Sequence, residues 1–235
     1  MAPNPQQNIG EIAAQSLAAV RLFERLGIDY CCGGRRPLAE VCQEKGLSAD
    51  EIVTQLSQEA SPVNDRDWSK SSLSALIQHI VATHHDFLKS ELPRLSAQID
   101  KVVAAHASRD PETFVKIQRV FAALQNDLDQ HLMKEEQILF PYIQGMESPS
   151  GPGHSCFGTV QNPIRMMEIE HDEAGSALAA LRQLTAGYQP PEWACPTLRA
   201  LYTGLAALEE DLHLHIHLEN NILHPGALAL ERSAH

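Results

Sequence analysis

The sequence predicts an all-α protein: a four-helix, up-down-up-down bundle preceded by a small helical N-terminal domain. Three observations carry this. Four long segments, near 71–107, 111–144, 161–186 and 196–224, repeat apolar residues in steps of three and four. Asp110-Pro111, a Pro/Gly/Ser-rich stretch at 145–160, and Gln189-Pro190-Pro191 punctuate them. β-propensity is weak, and four long helices with short connections favour antiparallel neighbours.

The N-terminal domain, 1–60, comes first. From Ile9 to Leu26 the apolar residues Ile9, Ile12, Val20, Phe23 and Leu26 fall at helical spacing, and Gly27 ends the segment. Tyr30-Cys31-Cys32-Gly33-Gly34 follows. A helix resumes near Pro37, since proline suits a first turn, and Ser48-Ala49-Asp50-Glu51 reads as a capping box. A polar linker, Ala60 to Ser71, leads to the bundle domain, 71–230. Leu212 to Leu218 alternates like a strand, but the stripe around it is helical.

The totals narrow the function. The chain has 235 residues, enough for a real core. Its formal charge of −12 excludes nucleic acid and anionic membranes as expected partners. No run of about 18 apolar residues suggests a bilayer span. The start, MAPNPQQNIGEIAAQ, lacks a basic n-region and an apolar signal core, so a cytoplasmic location is expected. The five cysteines then read as free thiols rather than a disulfide framework.

The twelve histidines are the unusual feature. The first core stripe reads Val81, His85, Leu88, Leu92, Leu95, Ile99, Val102. The second reads Ile117, Phe121, Leu124, Leu128, His131, Glu135, Ile138, Tyr142. The third is Met167, His171, Ala174, Leu178, Leu181. The fourth is Leu198, Leu201, Leu205, Leu208, Leu212, His215, Glu219, Ile222. Only His85, His131, Glu135, His171, His215 and Glu219 interrupt the apolar pattern. A carboxylate among leucines costs several kcal/mol unless a cation accompanies it. No Lys or Arg lies on these stripes, and imidazole with carboxylate is a natural metal-ligand set. A bundle with satisfied core histidines is the bland alternative, and it does not account for six such residues on four matching stripes.

The spacing also repeats. His85-Asp86, His131-x-x-x-Glu135 and Ile138-Leu139-Phe140-Pro141 are matched by His171-Asp172, His215-x-x-x-Glu219 and Ile222-Leu223-His224-Pro225. Two such halves imply a pseudo-symmetric site for two metals, with bridging carboxylates and two imidazoles per metal. His84 continues a shorter stripe that meets Glu91, so His85 is selected over it. His213, His217 and His224 fall on the opposite face and are expected to be solvated; His79 also points away. Asp86, Glu136, Asp172 and Glu173 flank the ligands and read as solvated acids, with imidazole N–H partners as the alternative.

On these motifs the chain resembles the di-iron proteins for repair of iron centres, the YtfE/ScdA type, which are built on a hemerythrin-like bundle. The resemblance rests on Ile28-Asp29-Tyr30-Cys31-Cys32-Gly33-Gly34, on His131 through Pro141, on Glu170-His171-Asp172-Glu173-Ala174-Gly175, and on His215-x-x-x-Glu219-Asn220-Asn221. It implies two non-haem Fe ions, carboxylate- and oxo- or hydroxo-bridged, and the restoration of iron–sulfur clusters damaged by nitric oxide or oxidants. Hemerythrins proper carry a second His four residues after the third-helix ligand; here that position is Gly175. Zinc and manganese remain the alternative metals on ligand type alone.

Cys31-Cys32 is a second functional candidate, for redox work or iron transfer. Adjacent cysteines close only a strained ring, so free thiols are expected. Arg35-Arg36 and a following helix N-terminus are expected to lower their pKa values and expose a reactive pair. It would accept electrons, bind iron in transit or touch a client cluster. Cys42, Cys156 and Cys195 have no paired motif. The expected partners are damaged iron–sulfur proteins, the gases NO and O2, an unidentified electron donor, and a second copy in a homodimer. Two competing functions are a nitric oxide reductase or scavenger and a hemerythrin-like O2/NO sensor.

Overall fold

Local signals set the N-terminal helices. α1 (Ile9–Gln15) and α2 (Leu17–Leu26) are separate, where the sequence suggested one segment. Ser16 divides them: its backbone is extended (φ −158°, ψ 117°), and its hydroxyl accepts the Ala19 N–H at 3.3 Å. Gly27, at φ 61°, ends α2 in a left-handed turn that disfavours a side chain. Pro37 precedes α3 (Leu38–Lys45), and Ser48 accepts the Glu51 N–H at the start of α4 (Ala49–Glu59). Ile9, Ile12, Phe23, Leu38, Ile52 and Leu56 close over one another in a small core.

The computed structural model describes residues 3–59, 68–106, 108–149, 151 and 157–233. Most of the expected linker, and Cys156, therefore lie outside the described residues. A 3₁₀ turn, Trp68–Lys70, leads into the bundle.

Four long helices make the bundle. α5 joins Leu73–Ile80, a π turn Val81–His85, and Asp86–His106. α6 joins Pro111–Lys134, a π turn Glu135–Leu139, and Phe140–Glu147. α7 is Gln161–Leu184. α8 joins Pro196–Leu218, a π turn Glu219–Leu223, and His224–Ser233. α5 packs on α6, α6 on α7, and α8 on both α7 and α5, closing the ring. No helix among the described residues is long and apolar enough to cross a membrane.

The π turns shift the register. A π turn takes up one extra residue, so the apolar stripe slips by one beyond it. Up to the turn the expected stripe of α6 holds, with Phe121, Leu124 and Leu128 buried. From the end of the turn onward Leu139, Phe140 and Ile143 face inward, whereas Ile138, within the turn, is 49% exposed and Tyr142, past it, only half-buried. In α8 the slip buries Leu223 and His224 rather than Ile222. Pro141 and Pro225 each follow a π turn by one residue, and both helices continue through them. α6 thus reaches Glu147, and α8 runs on to Ser233 beyond the expected end at 224.

The N-terminal helices sit on the π turn of α8. Asn221 projects between Gly10 and Gly34, where any Cβ would collide with its side chain, and donates to the Tyr30 carbonyl at 3.0 Å. Glu24 meets His213 at 2.8 Å, and Tyr30 donates to the same carboxylate at 2.9 Å.

Candidate metal centre

Six side chains converge midway along the bundle. His85 arrives from α5, His131 and Glu135 from α6, His171 from α7, and His215 and Glu219 from α8. They form two overlapping groups. His85, His215, Glu135 and Glu219 make one, and His131, His171, Glu135 and Glu219 the other. Both carboxylates belong to both groups. Glu135 turns one oxygen toward His85 (3.4 Å) and the other toward His131 (3.3 Å). Glu219 does the same with His215 (3.1 Å) and His171 (3.0 Å). His85, not His84, joins the cluster. Glu135 and Glu219 are both 0% exposed.

The imidazoles are held from behind. His85 Nδ1 donates to Glu136 (2.8 Å), His131 Nδ1 to Glu170 (2.8 Å), and His171 Nδ1 to Asn220 (2.9 Å). Asn220 in turn donates its amide N–H to the Cys31 carbonyl, which fixes its oxygen toward His171. In the neutral rings of His85, His131 and His171 these bonds put the proton on Nδ1 and leave Nε2 a bare acceptor, whereas His215 Nδ1 has no such partner. The Nε2 atoms of His131 and His171 then face each other at 3.1 Å, and those of His85 and His215 at 3.2 Å. In the neutral His131–His171 pair, whose Nδ1 protons are both fixed, two lone pairs at that distance repel unless a cation, a proton or a metal ion, lies between them. Donors about 2.1 Å from one ion at a right angle sit about 3 Å apart, which suits these pairs. Both oxygens of Glu135 and one of Glu219 lack a hydrogen-bond donor. The residues therefore fit a pair of cations.

The electrostatics agree. Burial and the Glu219 charge oppose ionisation of Glu135, yet His131 and His85 hold its pKa below the ordinary carboxylate range. Burial likewise opposes charge on Glu219, and His215 and His171 hold it well below the ordinary range. Burial disfavours a charged His131, but Glu135 raises it to about 10. The two acids demand positive charge, supplied by protons or by metal.

Residues 76–227 match the hemerythrin HHE cation-binding domain, and residues 5–60 match ScdA_N, a domain of unknown function, DUF542. The chain is 40% identical over 225 residues to the iron-sulfur cluster repair protein YtfE of Escherichia coli O81 (strain ED1a), covering 96% of this chain and 98% of that protein. The YtfE proteins of Escherichia fergusonii and of Escherichia coli O1:K1 match with the same identity and coverage.

The chain belongs to the hemerythrin HHE family, in its YtfE/ScdA-type branch.

In this HHE bundle three histidines depart from expectation. His217 and His224, expected in solvent, are 2% and 0% exposed. The ring of Tyr30 covers His217 at 5.3 Å, so the N-terminal helices occupy what would otherwise be a wet face. His224 turns inward through the register slip and stacks on His171, rings 6.0 Å apart and 7° from parallel. Burial pushes both imidazoles down to about 4. His213 is half-buried against Glu24 rather than solvated. His84 is also buried; it stacks on His215 and bonds Asp211 at 2.9 Å. Asp86, Asp172 and Glu173 are exposed as expected, whereas Glu136 is an imidazole partner. Glu170 and Asn220 were missed as partners of His131 and His171. Glu170 reaches across from another helix, and spacing along one helix carries no sign of that.

The thiol pair also differs from expectation. Cys31 and Cys32 are free, with sulfurs 3.9 Å apart. Cys31 is buried rather than exposed. Its thiol is pushed well up, by the hydrogen bond to Cys32, by burial and by the Asp29 charge. The arginines do not lower it because Arg35 pairs with Glu168, and Arg36 with Glu40 and Glu44. Cys32 rests 3.7 Å from the His171 carbonyl, and a Cβ at position 175 would stand 3.8 Å from its sulfur. Position 175 therefore adjoins the thiol, and a Cβ there would make ordinary contact with it. Cys42 is buried without a paired motif. Cys195, read as partnerless, lies 3.2 Å from His106 Nε2; that bond and the N–H groups of α8 lower it to about 7.

Proposed function

We propose that this protein repairs damaged iron–sulfur clusters in the cytoplasm, using two iron ions held by His85, His131, Glu135, His171, His215 and Glu219. The observation that carries the reading is the pair of interlocking four-residue groups sharing both buried glutamates. The curated relatives named for iron-sulfur cluster repair, similar over nearly the whole chain, support the biological role. Residues 1–60 act as a cap domain and 71–230 as the metal-binding domain.

When bound, the irons supply open coordination for nitric oxide or dioxygen and a store of metal for rebuilding clusters. The protein's own work is to hold, orient and shield. Glu136, Glu170 and Asn220 keep the Nδ1 edges of His85, His131 and His171 engaged, so the Nε2 atoms of these three face inward. Glu135 and Glu219 neutralise part of the metal charge inside a dry core. A cavity of about 70 Å³, lined by Leu124, Leu128, Ala174, Leu212 and the ligands His131 and His171, offers small gases an apolar route. Four histidines, with glycine at position 175, suit an exchangeable centre better than an oxygen carrier. The thiol pair beside His171 serves redox or iron transfer between the centre and damaged client proteins.

Metal analysis and Mössbauer spectroscopy of the purified protein test the reading, together with reactivation of a [4Fe–4S] enzyme inactivated by nitric oxide. Two coupled irons per chain, and reactivation lost in Glu219→Ala, are expected. Iron-free protein, or reactivation unaffected by that substitution, overturns it.

A further inference from the structure

The loop after α2 carries a second group of metal-binding type that is separate from the bundle's six residues. Asp29, Cys31 and Cys32 each offer one ligand atom within 4.8 Å of the others. The sulfurs are 3.9 Å apart, and Cys31 Sγ lies 3.3 Å from Asp29 Oδ1. A tetrahedral ion with metal–sulfur bonds of about 2.3 Å separates its sulfurs by about 3.8 Å, and a sulfur from a carboxylate oxygen by about 3.5 Å. The loop therefore already has two edges of such a tetrahedron, and the third edge of that face lies within 4.8 Å.

The backbone is arranged to give this juxtaposition. The Cys32 N–H donates to Asp29 Oδ1 at 2.9 Å, which pins the carboxylate over the thiols. Gly33 lets the chain curl back, because a Cβ there would come 2.6 Å from the Asp29 carbonyl. The triad opens on a cleft of about 590 Å³ whose walls include Glu24, Asp172 and Glu209. The basic groups in that wall are both engaged, Arg182 by Glu209 at 3.1 Å and His213 by Glu24 at 2.8 Å, which leaves Asp29 and Asp172 as the acids not paired to them. The cleft favours an incoming cation.

We infer that Asp29, Cys31 and Cys32 form a third cation site, for a thiophilic divalent ion such as Fe²⁺ or Zn²⁺, at the cleft beside His171. Two sulfurs and one oxygen fill three positions, and the fourth faces the cleft for water or a client's ligand. Binding releases the thiol protons to solvent and involves no electron transfer. Cys32 touches the backbone of His171, so an ion held here waits next to the main centre. That waiting role rests on the repair reading; cation binding itself does not.

The test is anaerobic titration of reduced, iron-loaded full-length protein with Co²⁺. One further equivalent is expected, with thiolate-to-cobalt charge-transfer bands and the visible bands of tetrahedral cobalt. Cys31→Ser and Cys32→Ser each weaken the charge-transfer bands. Asp29→Asn keeps an oxygen for the Cys32 N–H yet raises the cobalt Kd at least about tenfold, the loss already typical of outer partners. No further cobalt, cobalt without thiolate bands, or an unchanged Kd in Asp29→Asn overturns the site. Mössbauer spectra of the same sample report on the iron pair separately. Protein with coupled irons and no thiolate-bound cobalt refutes this site alone; thiolate-bound cobalt in protein that never holds coupled irons refutes only the di-iron reading.

Discussion

The two halves of the bundle carry the same ligand pattern on different supports. In the first half, His85 and His131 lean on glutamates, and Lys89 and Lys134 back those glutamates. In the second half, His171 leans on a neutral amide, Asn220, and His215 Nδ1 has no hydrogen-bond partner. Phe140 covers His85 in the first half; its repeat counterpart, His224, covers His171 in the second. The N-terminal helices and the thiols attach to the second half. The difference teaches that a duplicated ligand set need not give two equivalent grips. Carboxylate backing makes imidazole a stronger donor than amide backing does, and the weaker grip lies under the thiol pair.

The sharpest way to break this contrast is to remove the backing. Glu136→Ala and Glu170→Ala should each weaken iron retention about 10- to 100-fold. Asn220→Ala should cost less, because a neutral acceptor polarises imidazole less. Competition with a chelator measures all three, and equal losses would show that the halves grip alike. A smaller effect comes from making the halves match. His224→Phe removes two buried ring nitrogens that lack hydrogen-bond partners. It should stabilise the metal-free protein by about 1 kcal/mol or more, read as a higher Tm, with iron content unchanged. Lost iron would instead assign His224 a part in holding metal.

The smallest effect concerns a feature the halves share. Glu147 at the end of α6 accepts the N–H groups of Leu73 and Ser74, both at 2.8 Å, and so caps α5. Glu231 near the end of α8 accepts from Thr159 and Val160 at the start of α7. The same separation divides Glu147 from Glu231 as Glu135 from Glu219. Partial burial opposes ionisation of Glu147, but the Ser74 and Leu73 donors lower its pKa below 4.5. Its contribution is therefore present above pH 4.5 and lost as pH falls through the lowered value. Glu147→Gln should cost about 0.5 kcal/mol near neutrality, solvent-screened, with the Tm difference closing in acid.

Sequence alone reached the fold and the convergent six residues because apolar steps and their interruptions are local patterns. The stripes of α7, of α5 beyond His85 and of α8 up to Glu219 are buried as written. The pattern fails at and beyond the π turns, where one extra residue moves Ile138 outward and His224 inward. A constant helical period cannot register that change. It failed again where partners come from elsewhere in the chain: Glu170 across to His131, Glu24 onto His213, Tyr30 over His217. Glu147 and Glu231 went unseen because a helix cap supplied by another helix has no sequence neighbour.

Three consecutive residues of one turn have three separate attachments. Glu219 belongs to the buried His/Glu cluster, Asn220 joins His171 to the Cys31 carbonyl, and Asn221 is clasped between Gly10 of α1 and Gly34 of the loop before α3. Cap and centre thus share a single mechanical joint. Any force that draws the N-terminal region away from the bundle must load the same short arc of backbone that carries the buried Glu219 carboxylate, so a pull at the surface is felt at the centre.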